Sequence, residues 1–105
     1  MLKSVVKLSA MKELLKSNPK VIVDFYADWC GPCQRISPIV NTIATKTPDI
    51  TFLKVNVDEA EELVNQFKVS SMPTFVAFNK EQEVKRFSGA DEKKLADLIE
   101  QLTKM

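Results

Sequence analysis

Two cysteines lie in the segment Trp29-Cys30-Gly31-Pro32-Cys33, and the chain contains no others. An apolar run from Val21 to Ala27 precedes them and a helical pattern follows, which predicts a strand, a turn and the start of a helix. A helix N-terminus presents unpaired N–H groups and a partial positive charge, and both stabilise a thiolate, the reactive form of cysteine. The spacing therefore predicts Cys30 as a nucleophile, with Cys33 one turn further along and able to reach it.

The two residues between the cysteines suit this layout. Pro32 fits the first helical turn, where its missing N–H costs nothing, and Gly31 is expected to allow a tight turn that leaves Cys30 uncovered. Half of a zinc site is an alternative, but structural zinc takes four ligands, and carboxylates or a second chain would have to supply the others because the chain has no histidine. Inert packing cysteines are a second alternative. The Gly31-Pro32 spacer favours redox chemistry over both, so no metal is expected.

A carboxylate and an amine interrupt two of the predicted strands. Asp24 lies in the middle of an apolar strand, where carboxylates are rarely buried without a reason. Burial would raise its pKa and suit it to accept a proton near neutral pH. The alternative is a solvated carboxylate at a strand end. Lys54 is the one charge in the third predicted strand, and its alternative is a side chain that simply extends to water.

The order of predicted elements indicates the fold class. Helix caps are expected at Ser9, Asp58 and Asp91. The pattern is β-α-β-α-β-α-β-β-α, which indicates an α/β layer fold with a hairpin closing one side of the sheet. The predicted strands are Val5–Leu8, Val21–Ala27, Thr51–Val57, Thr74–Phe78 and Val84–Ser88, and the active-site helix is predicted from Gly31 to Thr45.

Composition limits the function classes. The 105 residues, 45% of them hydrophobic, suit a single domain over residues 1–105 with one core. A net charge of +1 suggests no nucleic-acid or acidic-membrane partner, and no apolar run is long enough to span a membrane. Two cysteines are too few for a disulfide scaffold. The basic N-terminal stretch fits the first strand and helix better than a transit peptide, so a reducing, cytoplasmic compartment is expected.

Three segments resemble the thioredoxin family in sequence, order and spacing: Asp24–Cys33, Met72–Phe75 and Phe87–Ala90. The resemblance covers essentially the whole chain. It implies a thioredoxin fold, a central five-stranded mixed sheet flanked by four helices. It also implies a general protein dithiol–disulfide oxidoreductase that needs no cofactor of its own.

The resemblance also implies roles for individual residues. Asp24 lies behind the resolving thiol Cys33 and assists its proton transfer, with Lys54 near that aspartate. Trp29 is expected from its place beside a reactive thiol to supply a flat apolar wall, the alternative being a core residue. Asp58 matches a family residue that can hydrogen-bond the indole. An apolar rim contacts partner proteins, and its residues are Gly31, Pro32, Met72, Pro73, Gly89 and Ala90.

The apolar rim and the cis proline that the resemblance implies each have an alternative explanation. Isolated Gly and Pro residues are equally explained by turn chemistry, and only the resemblance joins them into one surface. An X-Pro bond is usually trans, whereas the family loop that matches Met72-Pro73-Thr74 has a cis proline beside the active-site disulfide. The Met72 backbone would then pair with an extended client segment. The family commonly has a glycine in the turn near residues 79–83; this chain has none there, which leaves the geometry of that turn open.

The implied partners are a flavin-containing, NADPH-dependent thioredoxin reductase and client proteins such as ribonucleotide reductase, peroxiredoxin and methionine sulfoxide reductase. The implied context is electron transport in cell redox homeostasis, as a monomer. Two rival functions remain. A glutaredoxin- or isomerase-like oxidant has other residues between its cysteines. A non-catalytic interaction module would not need Cys30, Cys33, Asp24 and Pro73 together.

Overall fold

The computed structural model describes residues 2–105. Five strands and four helices alternate within these residues in the predicted order. They are β1 (Lys3–Ser4), α1 (Leu8–Ser17), β2 (Lys20–Tyr26), α2 (Gly31–Lys46), β3 (Thr51–Asn56), α3 (Glu61–Phe67), β4 (Thr74–Asn79), β5 (Gln82–Ser88) and α4 (Glu92–Thr103).

The strands form one mixed sheet in the order β1-β3-β2-β4-β5. β3 pairs in parallel with both β1 and β2, whereas β4 runs antiparallel to β2 and to β5. This arrangement confirms the predicted five-stranded mixed sheet with four helices. The near-continuous apolarity of β2 is explained by its central place, because a strand covered on both faces needs apolar residues in both directions.

Alternate residues of β2 face two separate cores. Val21, Val23 and Phe25 pack with buried residues of α1 and α3 on one face of the sheet. Ile22 packs with buried residues of α2 and α4 on the other face. Asp24 has the same parity as Ile22, so the period of two along a strand places it on the α2 side, where the active-site helix lies.

The N-terminal strand differs from the prediction. It spans Lys3–Ser4 rather than Val5–Leu8, and α1 already begins at Leu8. Ser9 is therefore not the N-cap; Lys7 occupies that position without a side-chain hydrogen bond. Instead, the carboxylate of Glu62 in α3 accepts a hydrogen bond from the backbone N–H of Leu8 at 3.1 Å. A cap supplied from a distant helix leaves no local signature in the sequence.

The predicted cap of α3 is also wrong, whereas that of α4 is confirmed. Ala60 is the N-cap residue of α3 and makes no side-chain cap. Asp58 lies two residues earlier, and its carboxylate accepts from Trp29 instead. In α4, Asp91 accepts a hydrogen bond from the N–H of Lys94 at 3.0 Å, as predicted.

The β4–β5 hairpin turns on two residues without a glycine. Lys80 and Glu81 have φ angles of 51° and 72°, in the left-handed region that non-glycine residues rarely adopt. Further along the hairpin the register shifts, because Ala77 pairs with Lys85 but Phe78 pairs with Glu83. The extra residue, Val84, is 39% exposed. This β-bulge bends the edge strand β5. None of the helices in residues 2–105 has the length and apolarity needed to cross a membrane.

Candidate active site

The end of β2 and the start of α2 bring the two cysteines together. Cys30 is the N-cap residue of α2, with the extended backbone (φ −86°, ψ 109°) typical of that position. The backbone N–H of Cys33 points at Sγ of Cys30 over 3.2 Å. The two cysteines are joined by a disulfide, with their Cα atoms 5.3 Å apart. Once this bond is reduced, the same N–H is placed to stabilise a thiolate on Cys30.

Exposure does not distinguish the two cysteines. Each residue is only 5% exposed, so the expectation that Gly31 leaves Cys30 uncovered is wrong. Met72 packs against the cysteine pair and helps to bury it. Gly31 does not adopt a left-handed backbone, and a Cβ added there would meet no atom within 4 Å. The turn at the cysteines therefore does not require glycine at this position.

The loop before β4 lies against Cys30. The carbonyl oxygen of Met72 is 3.7 Å from Sγ of Cys30. The Met72–Pro73 peptide bond is cis, as the resemblance implies. The N–H of Gly89 donates to the carbonyl of Pro73 at 2.8 Å, which brings the segment of Gly89 and Ala90 beside this loop. Met72 of the predicted apolar rim thus lies beside Cys30, and Gly89 is joined to the same loop through Pro73.

Asp24 and Cys33 line the same cavity, which lies beside β2 and α2. The cavity has a volume of about 70 Å³, enough for water. Asp24 is buried, and its Oδ1 has no hydrogen-bond partner among the described residues. Desolvation by this burial raises the pKa of Asp24 to about 7, although the positive charge of Lys54 opposes the rise. The residues that line the cavity are Leu2, Asp24, Tyr26, Cys33, Ser37, Val40, Asn41 and Lys54.

Lys54 is the register partner of Asp24 in the β2–β3 ladder. It makes no ion pair with that carboxylate within 4 Å; the ion pairs that the described chain contains join other residues. Its Nζ lies 5.9 Å from the centre of the Tyr26 ring, within the range of a cation–π contact. Lys54 therefore acts on Asp24 as a nearby charge and not as a hydrogen-bond donor.

The loops that follow β2 and β3 hold Trp29 at the surface. The Trp29 side chain is 68% exposed, and its Nε1–H donates to Oδ2 of Asp58 at 2.9 Å. This is the hydrogen bond that the resemblance implies for Asp58. Gly31 and Pro32 are exposed next to Trp29, so the structure leaves this part of the predicted contact surface accessible.

Comparison with known proteins identifies the family. The family model described as Thioredoxin matches residues 3–103. The chain belongs to the thioredoxin family. Thioredoxin from Equus caballus is 40% identical over 104 residues, covering 97% of this chain and 99% of the relative. The X-ray structure of Fasciola hepatica thioredoxin superimposes with a TM-score of 0.94 at 38% identity, covering 96% of this chain and 99% of that one.

Longer proteins also contain a related region. The peptide-N(4)-(N-acetyl-beta-glucosaminyl)asparagine amidases of Caenorhabditis elegans and Caenorhabditis briggsae are 39% and 40% identical to this chain. The chain spans only 16% and 17% of their lengths. Thioredoxins are thiol–disulfide oxidoreductases, and the close Cys30–Cys33 pair agrees with a redox-active site of that kind.

Sequence reasoning missed three polar residues of this thioredoxin site. Ser37 and Asn41 line the cavity with Cys33. Cys33, Ser37 and Asn41 follow one another at intervals of four on α2, and this spacing could have indicated a shared helix face. Asn56 joins the loops around Trp29, and no local sequence signal marks it. Among residues 2–105, no group of three or more Cys, Asp or Glu side chains is arranged to hold a metal ion.

Proposed function

We propose that this thioredoxin-family chain is a general reductant of protein disulfides, with Cys30 as nucleophile and Cys33 as resolving thiol. The observation that carries the assignment is the N–H of Cys33, which points at Sγ of Cys30 over 3.2 Å at the start of α2. A helix N-terminus favours a thiolate at Cys30 and provides nothing comparable for Cys33, whose own N–H is directed at Cys30.

In the first step the Cys30 thiolate attacks one sulfur of a client disulfide. An S–S bond forms between Cys30 and the client, the client S–S bond breaks, and the second client sulfur leaves as a thiolate that takes a proton from water. The apolar rim and the exposed Trp29 would hold the client segment, with the carbonyl of Met72 beside the reacting sulfur. Such positioning can supply much of a rate enhancement.

In the second step Cys33 attacks Cys30 and releases the client. The Cys33 thiol must first lose its proton, and Asp24 is the acceptor in the shared cavity. A carboxylate with a pKa of about 7 can take that proton near neutral pH and return it when the pair is reduced again. The Cys30–Cys33 disulfide forms, the client sulfur leaves as a thiolate, and two electrons have passed from the dithiol to the client disulfide.

The electrons would come from a flavin-containing, NADPH-dependent thioredoxin reductase, in the cytoplasm. Ribonucleotide reductase, peroxiredoxin and methionine sulfoxide reductase are the client classes we expect. We propose the same contact surface for reductase and clients, because both must bring a sulfur to Cys30.

Insulin reduction tests the proposal. The protein should accelerate insulin precipitation with dithiothreitol, and also with thioredoxin reductase and NADPH. Activity with glutathione but not with the reductase would favour the glutaredoxin-like alternative. No acceleration with either donor, from a folded protein with an intact disulfide, would favour a non-catalytic interaction module and overturn the proposed function.

A further inference from the structure

Trp29 is held by a hydrogen bond more than by packing. Its side chain is 68% exposed, and the one hydrogen bond of its indole goes to the carboxylate of Asp58. Asp58 is itself exposed, on the loop after β3. A tryptophan so placed could take several rotamers, and each would present a different surface to a client. Whatever fixes Asp58 therefore also fixes the wall beside Cys30.

Asn56 connects both loops around this hydrogen bond. Its Oδ1 accepts from the backbone N–H of Asp58 at 3.0 Å, and its Nδ2 donates to Oδ2 of Asp28 at 3.3 Å. Its own carbonyl accepts from the N–H of Glu59 at 3.0 Å, which closes the turn. The first bond locates the backbone of the residue that holds the indole, and the second holds the residue immediately before Trp29.

The position of Asn56 follows from the sheet. Asn56 is the last residue of β3 and the register partner of Tyr26, the last residue of β2. The carboxyl ends of two neighbouring parallel strands lie at the same edge, so the loops that follow must emerge side by side. A single amide at this point can reach both loops, because it carries a donor and an acceptor at once.

We propose that Asn56 is a positioning residue for client binding, which holds Asp58 and Asp28 so that Trp29 stays in one orientation beside Cys30. This inference rests on the proposed disulfide reduction. A carboxylate at position 56 would keep the acceptor for Asp58 but lose the donor to Asp28, and would place a third negative charge between two others. Asparagine is therefore matched to this site in a way that its isostere is not.

The consequence should appear in binding and not in the chemistry of the thiols. A client that meets a mobile Trp29 must order it on binding, and immobilising one large side chain reduces affinity by roughly threefold to tenfold. A small aromatic disulfide reagent reacts at Cys30 without needing that wall. For Asn56→Ala and Asn56→Asp we expect KM for a protein client to rise by about threefold to tenfold, with kcat and the rate with the small reagent changed less than about twofold.

A spectroscopic readout tests the positioning directly, because Trp29 is the only tryptophan and gives a single indole N–H resonance. Loss of its hydrogen bond should move that resonance and accelerate its exchange with solvent. Asp58→Asn weakens the acceptor itself, so its spectrum gives the size of the indole shift that loss of this hydrogen bond produces. Asn56→Ala and Asn56→Asp should shift the resonance in the same direction. Asn65→Asp, an exposed site on α3, adds the same charge elsewhere and should leave both readouts unchanged.

The outcomes separate the inference from the proposed function. If wild type fails to reduce insulin, the proposed function is wrong, while the indole resonance still reports on Asn56. If both Asn56 variants keep the wild-type resonance and KM, or if Asn65→Asp reproduces their effects, Asn56 does not position Trp29. Should Asn56→Ala fail to fold, Asn56→Asp retains the side-chain acceptor for the Asp58 N–H, loses the donor to Asp28 and gives the same decision.

Discussion

Cys30 and Cys33 are equally hidden from solvent, yet their surroundings differ in kind. Sγ of Cys30 faces the N–H of Cys33 and the carbonyl of Met72, at the rim where clients would arrive. Cys33 lines a cavity with Asp24, a carboxyl without a hydrogen-bond partner on Oδ1 among the described residues. One sulfur has fixed backbone groups around it, and the other has a titrating group beneath it.

In the proposed function, this difference in neighbours, and not a difference in exposure, divides the roles of the two thiols. A backbone N–H is a constant partner and favours the thiolate at any pH at which the helix is folded. A buried carboxyl with a pKa of about 7 changes its state near neutral pH and can then exchange a proton with a neighbouring group. The first arrangement suits a permanent nucleophile, and the second suits a thiol that must be activated once in each cycle.

The largest expected effect comes from removing either sulfur. Cys30→Ser should lower insulin reduction by about 10³-fold or more, because the chain has no third cysteine to take its place. Cys33→Ser should still attack and should accumulate a mixed disulfide between Cys30 and client. Mass spectrometry of protein incubated with oxidised client measures both. Trapping of client on Cys33 in the Cys30→Ser protein would reverse the assignment of the two roles.

The next effect concerns stability and Asp24. Its pKa is about 7 in the folded protein, against 3.8 for the ordinary group, so between these values the folded state holds a proton that the unfolded state has lost. Stability should therefore fall as pH rises through that window and level off above it. Asp24→Asn removes this dependence. The free energy of unfolding of Asp24→Asn should exceed that of wild type by near zero at pH 4. The difference should grow to at most roughly 4 kcal/mol at pH 7 and above.

Urea unfolding of the oxidised protein between pH 4 and 8 measures this, since a disulfide does not titrate. The exposed Asp49→Asn is the matched control: it keeps Asp24, so its free energy of unfolding should follow the same pH dependence as that of wild type. An Asp24→Asn advantage that is flat over this range would mean that Asp24 is not the titrating group, and would remove it as the proton acceptor.

A smaller effect is expected from Lys54, whose charge lowers the pKa of Asp24 against the effect of burial. Lys54→Met should raise that pKa further, leaving less ionised acceptor at pH 7 and slowing turnover by about twofold to threefold. The pH profile of client reduction should move to higher pH, whereas the rate of Cys30 alkylation should change less. A profile that stays in place would show that Lys54 does not tune the carboxyl.

The smallest effect is expected from a change far from both sulfurs, which serves as a control for the comparison of Cys30 with Cys33. The hairpin residues Lys80 and Glu81 adopt left-handed φ angles that cost about 1–2 kcal/mol for a residue with a side chain. Replacing them with Asn-Gly, the pair favoured in such two-residue turns, should stabilise the protein by about 1 kcal/mol after the added freedom of glycine in the unfolded chain.

Urea midpoints measure the change, and insulin reduction should stay the same because the turn lies at the end of β4 opposite Pro73. Loss of stability in this variant would show that the turn does not store the expected strain. Altered client reduction would show that the turn and the cysteine site are coupled.

The sequence predicted the residues of the site whose signals are local. Cys30 and Cys33 follow from their spacing, and Asp24 stands out because charge is rare inside an apolar strand. The order of the predicted elements was enough to predict the five-stranded sheet and its four helices. The two wrong helix caps share one physical cause: Ser9 and Asp58 are residue types that commonly cap helices, but Glu62 caps α1 from another helix and Asp58 accepts a hydrogen bond from Trp29. Contacts between distant segments decide such cases, and composition does not record them.

The bulge at Val84 also affects how one copy of the chain meets another. An open sheet edge offers unpaired N–H and C=O groups to a strand of a second molecule, which is a route to aggregation. On β5 the bulge interrupts the regular row of these groups, and Glu83, Lys85 and Arg86 place charge beside it. The opposite edge, β1, is only two residues long. Both edges of the sheet are thus poor templates for strand addition, which disfavours polymerisation of the chain along its sheet.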